Sequence, residues 1–376
     1  MEQIRREPLV YIPAELKDSG YIGDLWGYYY PDTEIYNILA WDDLKKGIYF
    51  QPDLVIIGRI TTEEMTRSNS LVGFRTENGI SFKKGDVNYH LEVYELQKNI
   101  FSRNSGILET DWMQKKSAFI SGCGSVGSLV ALELARAGVG FFILVDNDVM
   151  AYHNICRHQC GIKDVGKYKV NALKERILDI NPSANVSTYP NILENLPKDV
   201  FDANCSDDTI LISCADNREA DRYGSEMANI YSIPFVSIGF WERAFAGEIF
   251  YFIPTEDMPC YECGVGGQGL SSKVSTNRRF YTNQEDLQKV NFEPGISIDI
   301  NFVTTVAIKL IVDIYNKNNP LFTPRVINYL TQFTLVCNTN DVKVGGERAE
   351  YFAHPLQITS SIKVRYKNSC PPCKFR

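Results

Sequence analysis

Histidine is scarce in this chain. Its 376 residues include four, His90, His153, His158 and His354, and they have no metal-binding spacing, so a histidine-built metal centre is not expected. Long apolar runs are also missing. The best stretch, residues 296–314, is interrupted by Asp299, Lys309 and Asp313, which argues against a membrane-spanning helix. The N-terminal MEQIRREPLV has no apolar core of signal-peptide length. Positive charge is in deficit. A formal net charge of −7 is the wrong sign for a surface that holds a nucleic-acid backbone, though it does not exclude a nucleotide held locally. Internal repeats and low-complexity tracts are absent. The expectation is a cytoplasmic protein without membrane or nucleic-acid partners, long enough for one large α/β domain and a smaller appendage.

Residues 1–95 contain short β-rich runs (PLVYIP, EIYNILAW, LVIIGRI, GISF) between charged and glycine-containing turns, with aromatics dense at LWGYYYP. They read as a small N-terminal α+β domain with no catalytic constellation. Residues 96–117 read as a helical connector. From residue 118 strands alternate with helices, which implies parallel β-α-β units and a Rossmann-like, doubly wound, mainly parallel sheet.

The first unit of that pattern is AFISGCGSVGSLVALELARAGVGFFILVDND, residues 118–148. It carries a G-x-G-x-x-G (Gly122, Gly124, Gly127) between a strand and a helix, and an acid, Asp146, at the end of the next strand. In that layout backbone N–H groups at the start of the helix face phosphate oxygens, and the acid accepts from ribose hydroxyls. Hydride transfer would need little further cationic chemistry. The stretch DNDVMAYHNICRHQCGIKDVGKYKV instead supplies Asp148, Asn154, Arg157, Lys167 and Lys169, and an Arg and a Lys just past the nucleotide strand suit a triphosphate whose charge builds as it is displaced. Taken one at a time these residues also fit solvated loop charges; taken as an ordered set they point to ATP. His153 and His158 flank Asn154 and Arg157 and read as site lining.

Four of the ten cysteines form two C-x-x-C pairs, Cys260/Cys263 and Cys370/Cys373. Four thiolates make a closed tetrahedral zinc site, structural because no coordination position stays open, and it would clip the C-terminal tail to the core. A redox C-x-x-C is the rival reading. The others, Cys123, Cys156, Cys160, Cys205, Cys214 and Cys337, are scattered. The glycine-rich stretch 264–295 reads as a functional or disordered loop and holds no cysteine, and Cys337 lies in an apolar strand, so a thiol relay is disfavoured.

The ordered set of Asp146 and Asp148, Asn154, Arg157, V-G-x-x-K ending at Lys169, the acid–Asn pair at Asp216, and two distant C-x-x-C pairs resembles the ThiF/MoeB family of adenylyltransferases, relatives of ubiquitin-activating enzymes, over about residues 97–376. The resemblance implies that ATP is gripped by the glycine loop and that a carboxylate attacks its α-phosphate, forming an acyl-adenylate and releasing pyrophosphate. Gly122, Gly124, Ser125, Gly127, Asp146, Asp148, Asn154 and Lys167 are then the expected nucleotide-binding set, and Arg103, Arg157, Lys169 and Asp216 the catalytic one. Lys169 matches the family's catalytic lysine, with Lys167 as its near neighbour. Asp216 matches the magnesium-binding acid. Arg103, in FSRNSG, matches an arginine that reaches the neighbouring subunit's ATP, which implies a homodimer. Ser125 departs from the family, which has glycine there.

The extra N-terminal domain, the cysteine-free loop and the terminal zinc tail resemble the peptide-modifying branch of the family, which acts in microcin C and pantocin biosynthesis. The implied organisation is a leader-binding clamp over 1–95, pairing a peptide strand with a sheet edge, and an adenylation domain over 96–376 whose loop 264–295 closes on a precursor peptide. Lys273, Arg278 and Arg279 of that loop would attract an acidic substrate or are simply solvated. The alternative substrate is the C-terminal glycine of a ubiquitin-like or sulfur-carrier protein. A nucleotide sensor and an NAD(P)-dependent oxidoreductase are the readings from other classes.

Overall fold

The computed structural model describes residues 7–41, 46–47, 54–63, 68–215, 217–241, 244–265, 295–338, 359–362, 364–366 and 370–371. The chain forms two compact units, 1–103 and 104–376.

In the first unit short runs with alternating polarity make eight strands: β1 (Leu9–Pro13), β2 (Gly23–Tyr30), β3 (Ile35–Trp41), β4 (Lys46–Gly47), β5 (Val55–Thr61), β6 (Leu71–Thr76), β7 (Gly79–Lys84) and β8 (Val87–Tyr94). In β7, for example, Ile80 and Phe82 are buried while Ser81 between them is exposed. The strand order is β1-β8-β7-β6-β5-β2-β3-β4, and β1 also pairs in parallel with β3, so seven strands close into a ring and β4 hangs on β3. Val10, Ile12, Leu25, Ile38, Ile60 and Phe82 belong to the apolar cluster of this ring. Closure pairs the strands of the ring on both sides along most of their length. Only short free stretches remain among the described strands, such as the start of β5, where β6 joins only from Gly58 and where Val55 and Ile56 are exposed. Among the described residues the helical part of this unit is Ala14–Asp18 and Leu96–Ile100, the second of which was expected in a connector.

The second unit is built on β9 (Ser117–Ser121), β10 (Phe141–Val145), β11 (Asn185–Tyr189), β12 (Thr209–Ser213), β13 (Phe235–Phe240), β14 (Ala246–Phe252), β15 (Phe333–Cys337) and β16 (Thr359–Ile362), in the order β11-β10-β9-β12-β13-β14-β15-β16. Strands β9 to β13 run parallel, and β14 to β16 add antiparallel. SAFIS and TILIS are buried at every position because helices cover both faces of a parallel sheet. The two-residue period then sorts the side chains. Ala118, Ile120, Leu144 and Ile212 face the helices Ser125–Arg136, Lys169–Ile180 and Ser297–Tyr315. Phe119, Ile143, Val145 and Leu211 face a second cluster with Phe201, Ala228 and Tyr261. Strand order reverses between β9 and β12, so a crevice opens beyond their C-terminal ends. None of the described helices is long and apolar enough to cross a membrane.

One buried charge fixes the exit of the longest helix. Asp313, 1% exposed, accepts from the backbone N–H groups of Arg325 (3.0 and 2.9 Å to its two oxygens), Val326 (2.7 Å) and Ile327 (2.9 Å). Asp313→Ala would orphan three donors in a partly buried turn and is expected to cost ~3 kcal/mol, measured by urea unfolding; a loss too small to resolve would show that water serves the turn equally well.

Candidate functional site

Three glycines shape the loop after β9 for three reasons. Gly122 turns with φ +87°, and a Cβ there would lie 2.8 Å from the Cys214 backbone at the end of β12. A Cβ on Gly127 would strike the Gly122 carbonyl oxygen at 1.9 Å, so this position seats the helix on the loop. At Gly124 nothing lies within 4 Å, because the residue faces an open cavity. Main-chain bonds tie the loop to both neighbouring strands: Gly122 N–H donates to Val145 O (2.8 Å) and Cys214 N–H donates to Ser121 O (2.7 Å). Asp146 braces it further, its two carboxylate oxygens accepting from the N–H groups of Cys123 (2.7 Å) and Asp148 (2.8 Å).

The cavity holds about 590 Å³ and lies at the strand-order reversal. Of the expected residues, Gly122, Gly124 and Ser125 line it from the loop, Asp146 and Asp148 from the end of β10, and Asn154, Arg157 and Lys169 from the segment beyond. Lys169 opens the helix Lys169–Ile180. Its stem is buried and its Nζ lies 2.6 Å from Asp148 Oδ2. Lys167 does not line the cavity; it is held by Glu175 (2.5 Å) and Asp164 (3.2 Å), and the Glu175 hydrogen bond chiefly raises its pKa. Asn154 closes its own turn, accepting from Ala151 N–H at 2.9 Å. Arg157 stands beside the far end of loop 264–295, with Nη1 3.8 Å from where a Cβ on Gly295 would be. Gly127 is buried under the loop, and Arg103 is an exposed residue of the first unit. Asp216, Cys373, Lys273, Arg278, Arg279 and most of the loop lie outside the described residues.

His158 is a clasp on this site. Its Nδ1 accepts from Cys160 N–H at 3.0 Å, which makes Nε2 the protonated nitrogen, donating to Cys123 O at 2.8 Å. Burial is the main cause of its lowered pKa.

Sequence reasoning missed the rest of the wall. Asn191–Glu194 after β11, Cys214 after β12 and Phe240–Trp241 after β13 complete the cavity, with Ala244, whose φ of +55° is unusual for a residue with a side chain. These residues carry no motif; the only signal was their place at the C-terminal ends of parallel strands of the sheet. A buried polar group also stands behind the wall. Burial pushes the Asp221 carboxyl up to about 6, against hydrogen bonds from neighbouring hydroxyls, Tyr261 among them.

The thiols of Cys260, Cys263 and Cys370 are buried and gathered, with Cys260 Sγ 3.9 Å from Cys263 Sγ and 3.5 Å from Cys370 Sγ. Sulfurs around a tetrahedral zinc with Zn–S of about 2.3 Å are about 3.8 Å apart, so the donor set and spacing suit that ion. Among the remaining described thiols Cys156 is exposed, while the other five are poor nucleophiles by environment. Burial raises the pKa of Cys123, Cys214 and Cys337, and takes Cys160 and Cys205 to about 12.

Residues 96–344 match the ThiF family, and the chain belongs to it. Among curated relatives, the ubiquitin-like modifier-activating enzyme 5 of Drosophila willistoni is 30% identical over 161 residues, 40% of this chain and 39% of that protein. The adenylyltransferase and sulfurtransferase UBA4 of Candida glabrata is 25% identical over 248 residues, 65% of this chain and 53% of that one. The chain thus spans about half, or less, of the length of these relatives. Among solved structures, E. coli MccB with ATP superposes with a TM-score of 0.50 at 19% identity, covering 70% of this chain and 68% of that one. The microcin C7 biosynthetic enzyme MccB in complex with N-formylated MccA gives 0.51 at 20%, covering 70% and 69%. At that identity the likeness is one of fold.

Two outcomes follow for the site. At Gly124 φ is negative (−77°), ψ (−150°) lies just past the usual extended range and a methyl has room, so Gly124→Ala should lower the melting temperature only slightly while nucleotide affinity drops about tenfold or more, ~1.4 kcal/mol by calorimetry; unchanged affinity would remove the loop from the phosphate site. His158 is neutral when folded but takes a proton in the unfolded chain, so its contribution is complete above about pH 6.5 and is lost as pH falls towards its lower folded value. His158→Gln should therefore flatten the acid limb of the stability–pH curve below about pH 6.5, read by urea unfolding at each pH; an unaltered limb would assign the acid loss to another group.

Proposed function

We propose that this protein is an ATP- and Mg²⁺-dependent adenylyltransferase that activates a carboxylate on a ribosomally made precursor peptide, in the biosynthesis of a peptide natural product. The observation that carries the reading is the convergence of Asp146, Asn154, Arg157 and Lys169 on the glycine loop, in one cavity of a ThiF-family chain. Loop N–H groups, Arg157 and Asn154 bind the phosphates, and Asp146 takes the ribose with the lone pairs its backbone partners leave free. Lys169, exchanged from Asp148, neutralises charge on the α-phosphate as a carboxylate oxygen attacks; the acyl–phosphate bond forms, the bond to the β-phosphate oxygen breaks, and pyrophosphate leaves. Asp216 would hold Mg²⁺, which would supply charge neutralisation for the phosphates. Cys260, Cys263, Cys370 and Cys373 hold a structural Zn²⁺. The first unit clamps the leader, a second copy contributes Arg103, and the homodimer works in the cytoplasm.

The MccB structures with the MccA peptide support a peptide substrate by likeness of fold. The second reading, adenylation of a ubiquitin-like or sulfur-carrier protein, is favoured by the names of the curated relatives. Against its thioester form stand the described thiols whose pKa values burial raises.

ATP–pyrophosphate exchange tests both. Exchange should depend on a short peptide encoded beside the gene and fall ~10²–10³-fold in Lys169→Ala, but far less in Lys167→Ala. Exchange driven only by a carrier ending in Gly-Gly would transfer the protein to the second reading, and ATP binding without any exchange would leave a sensor.

A further inference from the structure

A continuous polar chain runs from the cavity wall to the cysteine cluster. Trp241, which lines the cavity, donates from Nε1 to Glu248 Oε2 at 3.2 Å. Glu248 Oε1 lies 2.5 Å from Arg218 Nη1, which also donates to the Tyr261 hydroxyl at 2.9 Å. That hydroxyl in turn donates to Asp221 Oδ2 at 2.8 Å. Glu248, Asp221 and Tyr261 are buried, with 6%, 5% and 1% exposure. Tyr261 stands between Cys260 and Cys263, and its ring is wedged edge-on against Phe235 (6.0 Å between centroids) and Phe250 (5.2 Å), which leaves the hydroxyl little freedom to move without its backbone.

The same segment grips the helix Arg218–Ile230 along one face. Tyr261 holds Arg218 and Asp221, its N–H donates to Ser225 Oγ at 3.4 Å, and Glu262 accepts from Arg222 Nε at 3.1 Å. The N-terminal end of that helix reaches the cavity through Asn217 and Ala220. Anything that shifts the backbone between the two cysteines is therefore felt at two points of the cavity wall, the Trp241 side and the first turn of this helix. The links from Trp241 through Glu248 and Arg218 to Tyr261 and Asp221 each involve a charged group, and Glu248 and Asp221 are buried, so breaking a link to either strands a buried charge rather than trading it for water.

We infer that Tyr261 is a positioning residue that transmits the state of the cysteine cluster to the cavity wall, so that metal binding at the thiols sets the position of Trp241. The inference rests on the zinc assignment and is independent of the nucleotide reading.

The test uses the full chain without nucleotide. Trp241 emission is isolated as the difference between the protein and its Trp241→Phe variant, before and after zinc is removed with a chelator and the loss confirmed by metal analysis. Removal should red-shift the Trp241 emission in the unaltered chain. In Tyr261→Phe, which keeps the ring and its packing, emission should start shifted and no longer respond to zinc, while zinc content stays that of the unaltered chain. Glu248→Gln severs the chain at the other end and should abolish the response in the same way, which covers the case of a Tyr261→Phe that does not fold. An equal zinc response with and without the hydroxyl, or no response in the unaltered chain once zinc has left, overturns the inference. A chain that binds no zinc overturns it together with the metal assignment, while pyrophosphate exchange still reports on the nucleotide reading.

Discussion

The close approach of three backbone segments at Gly122, Gly127 and Cys214 is the constraint on which the rest of the site depends. A Cβ at Gly127 has no space because the helix start rests directly on the Gly122 carbonyl, and one at Gly122 would press on the end of β12. With the backbone this close, the loop can hang by main-chain bonds from β10 and β12 at once, and Asp146 can reach Cys123 N–H. The free N–H groups at the start of the helix are thereby aimed into the crevice at a fixed height above the sheet.

Beside that fixed loop the site pairs a lysine with a carboxylate of its own. Lys169 has a buried stem and a partner, Asp148, that is itself exposed, an ion pair able to exchange its anion for a phosphate without a cation being dragged through the core. Lys167, only two residues earlier, is committed to Glu175 and Asp164 outside the cavity. The division of labour between two neighbouring lysines follows from which of them begins the helix.

Much of this was legible in the sequence. SAFIS, FFILV and TILIS are short apolar runs separated by helix-length segments, and a glycine motif after the first of them locates the reversal of strand order. The V-G-x-x-K spacing favoured Lys169 over Lys167, and the cavity is lined by Lys169. What was not legible depends on non-local pairing. Ring closure in the first unit rests on Leu9–Tyr11 meeting Ile35–Asn37 on one side and His90–Tyr94 meeting β1 on the other, a register that no local pattern encodes. The Trp241 wall and the Arg218–Glu248–Tyr261–Asp221 group come from four separate segments. Each residue alone looks like an ordinary surface charge or a core aromatic.

The strand order also carries a consequence for how the protein is made. β9 is the first strand of the large sheet to be synthesised and ends third of its eight strands, with β10 on one side and β12 on the other. During synthesis β10 and β11 can join it early, but the opposite edge of β9 stays bare until the ribosome has delivered Thr209–Ser213. Until then Ser121 O has no Cys214 N–H to accept from, and the turn at Gly122 has no wall behind it. A nascent chain therefore passes through a long interval in which the nucleotide fingerprint is already translated but its cradle does not yet exist.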